Sequence, residues 1–130
     1  MAYQSFEELE VWKRSCRLAV AIYKVLEEWR DYGLKDQIQR SAVSVASNIA
    51  EGYERGGKDF VRFLRMARGS AAELRTQVYI AHRIGRISHQ DAVQIIHETK
   101  VIAKMITRLA RSRTPDSDPP SDPWPLKPDP

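Results

Sequence analysis

Apolar residues recur at alternating steps of three and four along four stretches of this chain, a period that belongs to helices with one buried face rather than to strands. In the first stretch the stripe is Leu9, Trp12, Cys16, Ala19, Tyr23 and Leu26, and Ser5 with Glu8 predicts a capping box that opens the helix at Ser5. The second carries Leu34, Ile38, Ala42, Val45 and Ile49, flanked by Ser41, Ser44, Ala46, Ser47 and Ala50, whose small volumes let a neighbouring helix come close. The third, 58–84, repeats the step through Phe60, Phe63, Leu64, Ala67, Ala71, Leu74 and Val78. The fourth does so through Ala92, Ile95, Ile96, Thr99, Ile102, Ile106 and Leu109. Gly33, the group Gly52, Gly56 and Gly57, and Gly85 punctuate these stretches. Gly85 suits a left-handed helix end, and Ser88 with Asp91 caps the fourth helix so soon afterwards that the last two helices must run antiparallel. All seven prolines lie at or after Pro115, so nothing in the body interrupts a helix. The pattern predicts an all-α fold: an antiparallel up-down four-helix bundle over residues 1–113, with helices of ~20 to 27 residues.

From residue 114 the composition changes. The stretch TPDSDPPSDPWPLKPDP has too little apolar surface to offset the entropy of ordering it, so 114–130 is expected to be a disordered proline-rich tail. Trp124 within it is either a short docking anchor or part of an inert solvated end. Charge follows the same division: residues 1–113 hold 20 Lys/Arg against 13 Asp/Glu, a net +7, while 114–130 hold 1 against 4, a net −3. A basic body suits anionic partners such as nucleic acid or acidic lipid without identifying one. The single cysteine, Cys16, has no intramolecular disulfide partner, and the start MAYQSFEELEVWKRS has acidic residues where a signal peptide needs basic and then apolar ones. The longest apolar run, Leu18 to Tyr23, is far short of the ~20 residues that cross a bilayer. A cytoplasmic chain without membrane contact is expected.

The third stretch holds the chemistry. At ~100° per residue, Lys58, Arg62, Arg65 and Arg83 fall within ~60° of one another, with Arg68 and Arg75 flanking, opposite the Phe63, Leu74 and Val78 side. Arginine forks along a rigid track match phosphate oxygens, so Lys58, Arg62, Arg65 and Arg68 are the candidate nucleic-acid contacts. The competing reading is a solvated face, or one lined by acidic residues of another subunit. A second line, Lys100, Lys104, Arg108 and Arg111, lies at steps of four, four and three on the fourth helix, where the macrodipole alone favours cations. Neither line has interleaved aromatics, which favours backbone or duplex contact over stacking on single-strand bases. Gly69 sits on the same polar side, where glycine costs ~1 kcal/mol relative to alanine, so close approach of another backbone is expected there. Asn48 and Glu51 lie one turn apart; either they form a polar site, or Asn48 bonds within the bundle and Glu51 pairs with Arg55.

Catalytic signatures are lacking. His97-Glu98 has Val101 where a zinc-protease helix needs its second histidine, and His82, His89 and His97 are poorly spaced for a metal. Cys16 on its stripe reads as packing rather than as a nucleophile. No glycine-rich phosphate loop, acid pair or serine triad spacing occurs, so no catalytic residue, cofactor or metal is expected.

Three runs carry a resemblance: Asn-Ile-Ala-Glu-Gly at Asn48 to Gly52, Phe-x-x-Phe-Leu at Phe60 to Leu64, and Gly-Ser-x-x-Glu at Gly69 to Glu73. With Leu9-Glu10-Val11-Trp12, Ile22-Tyr23 and Tyr32-Gly33-Leu34, they make the chain, over roughly residues 6 to 110, similar to the four-helix bundle proteins encoded in intervening sequences of bacterial large-subunit ribosomal RNA genes. It departs from the usual Phe/Tyr-Gly-Arg in having Tyr53-Glu54-Arg55, which leaves the shape of that turn open. The resemblance implies a closed ring of identical subunits, typically a pentamer, and a suspected nucleic-acid role. On that basis Gly69 and Glu73 are expected at the oligomer interface, with a phosphate backbone as the other visitor to Gly69. The expected function is a nonenzymatic homo-oligomer that binds structured RNA or other nucleic acid through a basic helix face. The alternative is a scaffold for an unknown protein partner, without nucleic-acid binding.

Overall fold

The computed structural model describes residues 5–114, and every regular element among them is helical. A 3-10 turn at Phe6–Glu8 precedes α1 (Glu10–Val25), α2 (Tyr32–Arg55), α3 (Gly57–Arg83) and α4 (His89–Arg113). The expectations of a disordered tail and of an anchor at Trp124 fall outside the described residues.

Each helix packs against its neighbours in the chain, and α1 closes onto α4. In the α2–α3 pair Ser44 Oγ meets Ser70 Oγ at 2.8 Å while Gly52, farther along α2, faces Phe63, nearer the start of α3. In the α3–α4 pair Arg113 lies over Phe60, Arg68 meets Thr107 and His82 meets His89. Partner numbers rise on one helix as they fall on the other, the mark of antiparallel packing, and the four helices form a bundle. Ile22, Leu26, Ile38, Leu64, Leu74 and Ile102 are among the side chains buried completely in its seam. Each stabilises the fold by about 1.5–3 kcal/mol through loss of apolar surface to water.

The predicted stripes of α2, α3 and α4 are buried, except that Leu34, Ile96 and Leu109 stay partly open. The first helix differs. Ser5 caps the 3-10 turn, its hydroxyl accepting from the Glu7 N–H at 3.1 Å, and α1 starts only after Leu9 and runs for 16 residues. Its buried line is Val11, Ser15, Leu18 and Ile22, with Leu9, Ala19 and Leu26; Trp12 and Cys16 are half-buried and Tyr23 is exposed. The predicted stripe therefore stands one step off. Trp12 is held at the rim by an edge-on contact with Phe6, ring centroids 5.2 Å apart. Ser15 faces the core in its place, with its hydroxyl donating to the Val11 carbonyl at 2.7 Å.

Gly52 does not end a helix, as its grouping with Gly56 and Gly57 had predicted. It lies inside α2 and is buried, and a Cβ there would stand 2.5 Å from the Phe63 Cβ. The absent side chain is what lets α2 and α3 close on each other. The break comes at Gly56 and Gly57, with φ +71° and +56°, where a side chain is strained. Gly85, φ +77°, ends α3 as expected, and Ser88 Oγ accepts from the Asp91 N–H at 3.1 Å to cap α4. None of the described helices is long and apolar enough to cross a membrane.

Candidate nucleic-acid interface

Contacts distinguish the two edges of α3. Arg68 donates to Thr107 Oγ1 at 3.1 Å, and His82, fourteen residues on, has its ring centroid 5.4 Å from that of His89. Residues seven apart share a helix face, so the line through 68, 75 and 82 faces α4. Phe63 against Gly52 and Ser70 against Ser44 place the line through 63, 70 and 77 toward α2.

On the outward crest and the α4 edge stand Lys58, Arg65 and Arg68, all exposed, with half-buried Arg75 below them. Beside them, α4 presents exposed Lys100, Lys104, Arg108 and Arg111. None of these cations forms an ion pair among the described residues. Ala103, Lys104, Thr107, Arg108 and Arg111 line a shallow groove of about 330 Å³. The carboxylates of both helices face elsewhere. Asp59 pairs toward α2, and Glu73, three residues beyond Ser70, lies on that same side. Glu98 pairs with Arg14 of α1, its Oε1 accepting from Nη2 at 3.1 Å, and Asp91 is seven residues before it on the same edge. Successive cations on α4, three or four residues apart, thus lie within a Debye length of ~8–10 Å of one another, and no anion among the described residues pairs with them.

The α2 edge is balanced. Arg62, predicted as part of the basic stripe, lies 3.3 Å from Asp59 and packs over Phe63, 4.7 Å from the ring centroid. Arg55 reaches both Glu51 at 3.0 Å and Asp59 at 3.7 Å, and covers the same ring at 5.0 Å. Glu51, Arg55, Asp59 and Arg62 form a chain of alternating sign. Such exposed pairs contribute only ~0.2–1 kcal/mol each, but they occupy the guanidinium groups. The four predicted contacts are therefore divided: Lys58, Arg65 and Arg68 share one surface, and Arg62 belongs to the other. What sequence reasoning missed is that the α4 line, Lys100 to Arg111, adjoins the α3 line. The signal was present in the short link from Gly85 to Ser88, which makes α3 and α4 neighbours.

Gly69 is exposed, and a Cβ there would meet nothing within 4 Å, so no contact among the described residues accounts for the glycine. Glu73 is exposed and has no ion pair among the described residues. Met66 and Ile80, 45% and 49% exposed, continue this strip along α3.

Asn48 donates to the Ser44 carbonyl at 2.9 Å and to Ser44 Oγ at 3.0 Å, and Glu51 holds Arg55, so the structural of the two readings of this pair holds. Burial pushes the half-buried Cys16 thiol up from its ordinary value, which lowers its thiolate fraction and its reactivity. Among the described residues no three His, Cys, Asp or Glu side chains are grouped to hold a metal ion.

The chain matches the family described as 23S rRNA-intervening sequence protein over residues 7–108, a span that takes in α1, α2, α3 and most of α4. Among solved structures it is similar to a protein of unknown function from the S23 ribosomal protein family of Bacteroides thetaiotaomicron. The two share 26% sequence identity and a TM-score of 0.73, over 78% of this chain and 98% of that one. No curated protein matches. The chain belongs to the 23S rRNA-intervening sequence protein family.

Proposed function

We propose that this protein is a nonenzymatic, ring-shaped homo-oligomer, a pentamer, that binds the phosphate backbone of structured RNA across the α3–α4 face. The observation that supports it most is the set of cations, Arg65 and Arg68 on one helix with Lys100, Lys104, Arg108 and Arg111 on the other, that have no ion pair among the described residues, on a surface to which neither helix turns a carboxylate. Two rigid helices hold these groups in fixed rows, which suits the regular phosphate spacing of a duplex. The family's description names an intervening sequence of 23S rRNA, which makes structured RNA the first ligand to test. Assembly is supported by the outward strip of Met66, Gly69, Glu73 and Ile80, whose glycine leaves room for a neighbour's backbone. A closed ring repeats the cationic face, and repeated weak contacts add through effective concentration.

Titration of a labelled RNA hairpin of about 20 base pairs, followed by fluorescence anisotropy between about 50 and 200 mM salt, tests the reading. Affinity should fall by one to several powers of ten across that range. Absence of measurable binding at the lowest salt would falsify RNA recognition. A second reading, a protein-interaction scaffold, is favoured by a separate apolar groove of about 430 Å³ between α1 and α2, where Val20, Tyr23 and Val43 are exposed. Retention of a protein partner together with absent RNA affinity would select it.

A further inference from the structure

The C-terminal stretch is acidic where the α3–α4 face is cationic, and its sequence spacing can be compared with that of the cations. Among 115–126 there are three carboxylates, Asp116, Asp118 and Asp122, and no Lys or Arg, followed by the apolar pair Trp124 and Leu126. The last described residues before it lie beside Arg111, at the end of the cationic row. α4 stops at Arg113, and Thr114, in extended conformation at φ −87° and ψ 135°, is fixed by its Oγ1 donating to the Ala110 carbonyl at 2.8 Å. Pro115 enforces that extended geometry on the residue before it.

Lengths agree. Five prolines, Pro115, Pro119, Pro120, Pro123 and Pro125, favour an extended left-handed path rising ~3.1 Å per residue. Laid back along α4 from Thr114, that path carries Asp116, Asp118 and Asp122 to ~6, ~12 and ~25 Å, and Trp124 to ~31 Å. On α4, at ~1.5 Å per residue, Arg111, Arg108, Lys104 and Lys100 lie ~5, ~9, ~15 and ~21 Å from Thr114. Val93 lies at ~32 Å on the same line. It is exposed, as are Tyr79, Ile80 and Ile84 on the adjacent end of α3, each at 49%. The face thus carries its α4 cations over two-thirds of its length and adds exposed apolar side chains at its far end, beside Arg83 and the His82–His89 pair, and the stretch is acidic first and apolar after.

We propose that residues 115–126 lie back along the α3–α4 face of their own chain as an acidic strap, with Asp116, Asp118 and Asp122 on its cations and Trp124 against Val93 and Tyr79, competing with RNA for the same surface. The competition rests on the RNA reading above; the strap itself does not. The two are separated by measuring the strap without RNA. Acrylamide quenching of the full chain minus that of its Trp124→Phe variant isolates the Trp124 signal. It should show at least about threefold protection relative to a free tryptophan peptide. Lys104→Glu with Arg108→Glu should abolish that protection. Trp124 as open to acrylamide as the free peptide, or unaffected by the double reversal, overturns the strap. Protection that disappears on dilution to a regime of intact assemblies overturns docking within one chain.

For the regulatory part, hairpin RNA binding is compared in the full chain, a chain ending at Thr114, and the Trp124→Ala chain. Truncation should tighten binding by about tenfold at low salt, and Trp124→Ala, which changes no charge, by about threefold. An unchanged Trp124→Ala affinity beside a tighter truncated chain reduces the effect to net charge and overturns competition. RNA affinity absent in all three chains removes the RNA reading and leaves the quenching result to decide the strap.

Discussion

The two edges of α3 carry similar residues and face different surroundings. On the α2 edge, Arg62 finds Asp59, Arg55 links Asp59 to Glu51, and both guanidinium groups lie over Phe63. On the α4 edge, Arg68 meets the neutral hydroxyl of Thr107 and has no ion pair among the described residues, and the facing row on α4 is Lys100, Lys104 and Arg108. A guanidinium is available to an outside anion only when its neighbours leave it unsatisfied. That property belongs to pairs of helices and not to any one of them.

The largest expected effect tests which edge holds the ligand. Lys104→Glu with Arg108→Glu should weaken binding of hairpin RNA by about 100-fold at low salt and lower the slope of log affinity against log salt by about two units, at ~0.9 per phosphate contact. Arg62→Glu should change affinity by less than about threefold. Equal losses in the two variants would erase the distinction between the edges. Oligomer mass, measured alongside, guards against an indirect loss.

Next in size is an assembly effect on the outward strip. Gly69→Leu adds bulk where the chain itself offers no obstacle, so circular dichroism should be unchanged while light scattering reports a shift to smaller species, a weakening of about tenfold or more. An unchanged assembly would mean that no subunit approaches Gly69. A smaller change comes from Asp59→Asn, which releases Arg55 and Arg62 from their shared carboxylate. Because these pairs are exposed, stability should fall by under about 1 kcal/mol, while RNA affinity rises by about two- to threefold as the α2 edge gains unpaired cations. A larger stability loss by denaturant titration would show that the network holds the helices together. Smallest is truncation at Thr114: the proposed strap touches only the surface, so the melting temperature should move by less than about 4 °C.

Much of the fold was legible because α2, α3 and α4 bury regular stripes of large residues between clear caps and breaks. The α1 stripe was misjudged because side-chain size suggested Trp12 and Tyr23 for the seam. An edge contact with Phe6 keeps Trp12 at the rim, so Val11 and Ser15 line the seam instead. Gly52 was read as punctuation, since sequence alone does not separate a glycine that ends a helix from one that admits Phe63. For the candidate site, the angular wheel put Arg62 and Arg65 together on the polar side of α3, where the structure divides them between two edges. It could not show that Asp59 and the end of α2 would occupy one and leave the other open.

The contact of Gly52 with Phe63 also bears on the order in which the chain acquires its structure. Gly56 is the sole residue between α2 and α3, so these helices meet with almost no loop-closure entropy, and their hairpin should form early. Their closest approach sits within a few residues of that turn, where native distance is reached first. Gly52→Ala would then act mainly on the folding limb of a chevron plot, slowing folding, with little change in the unfolding rate. A glycine that leaves no trace on the outer surface would in this way set the pace at which α4 has a scaffold to dock against.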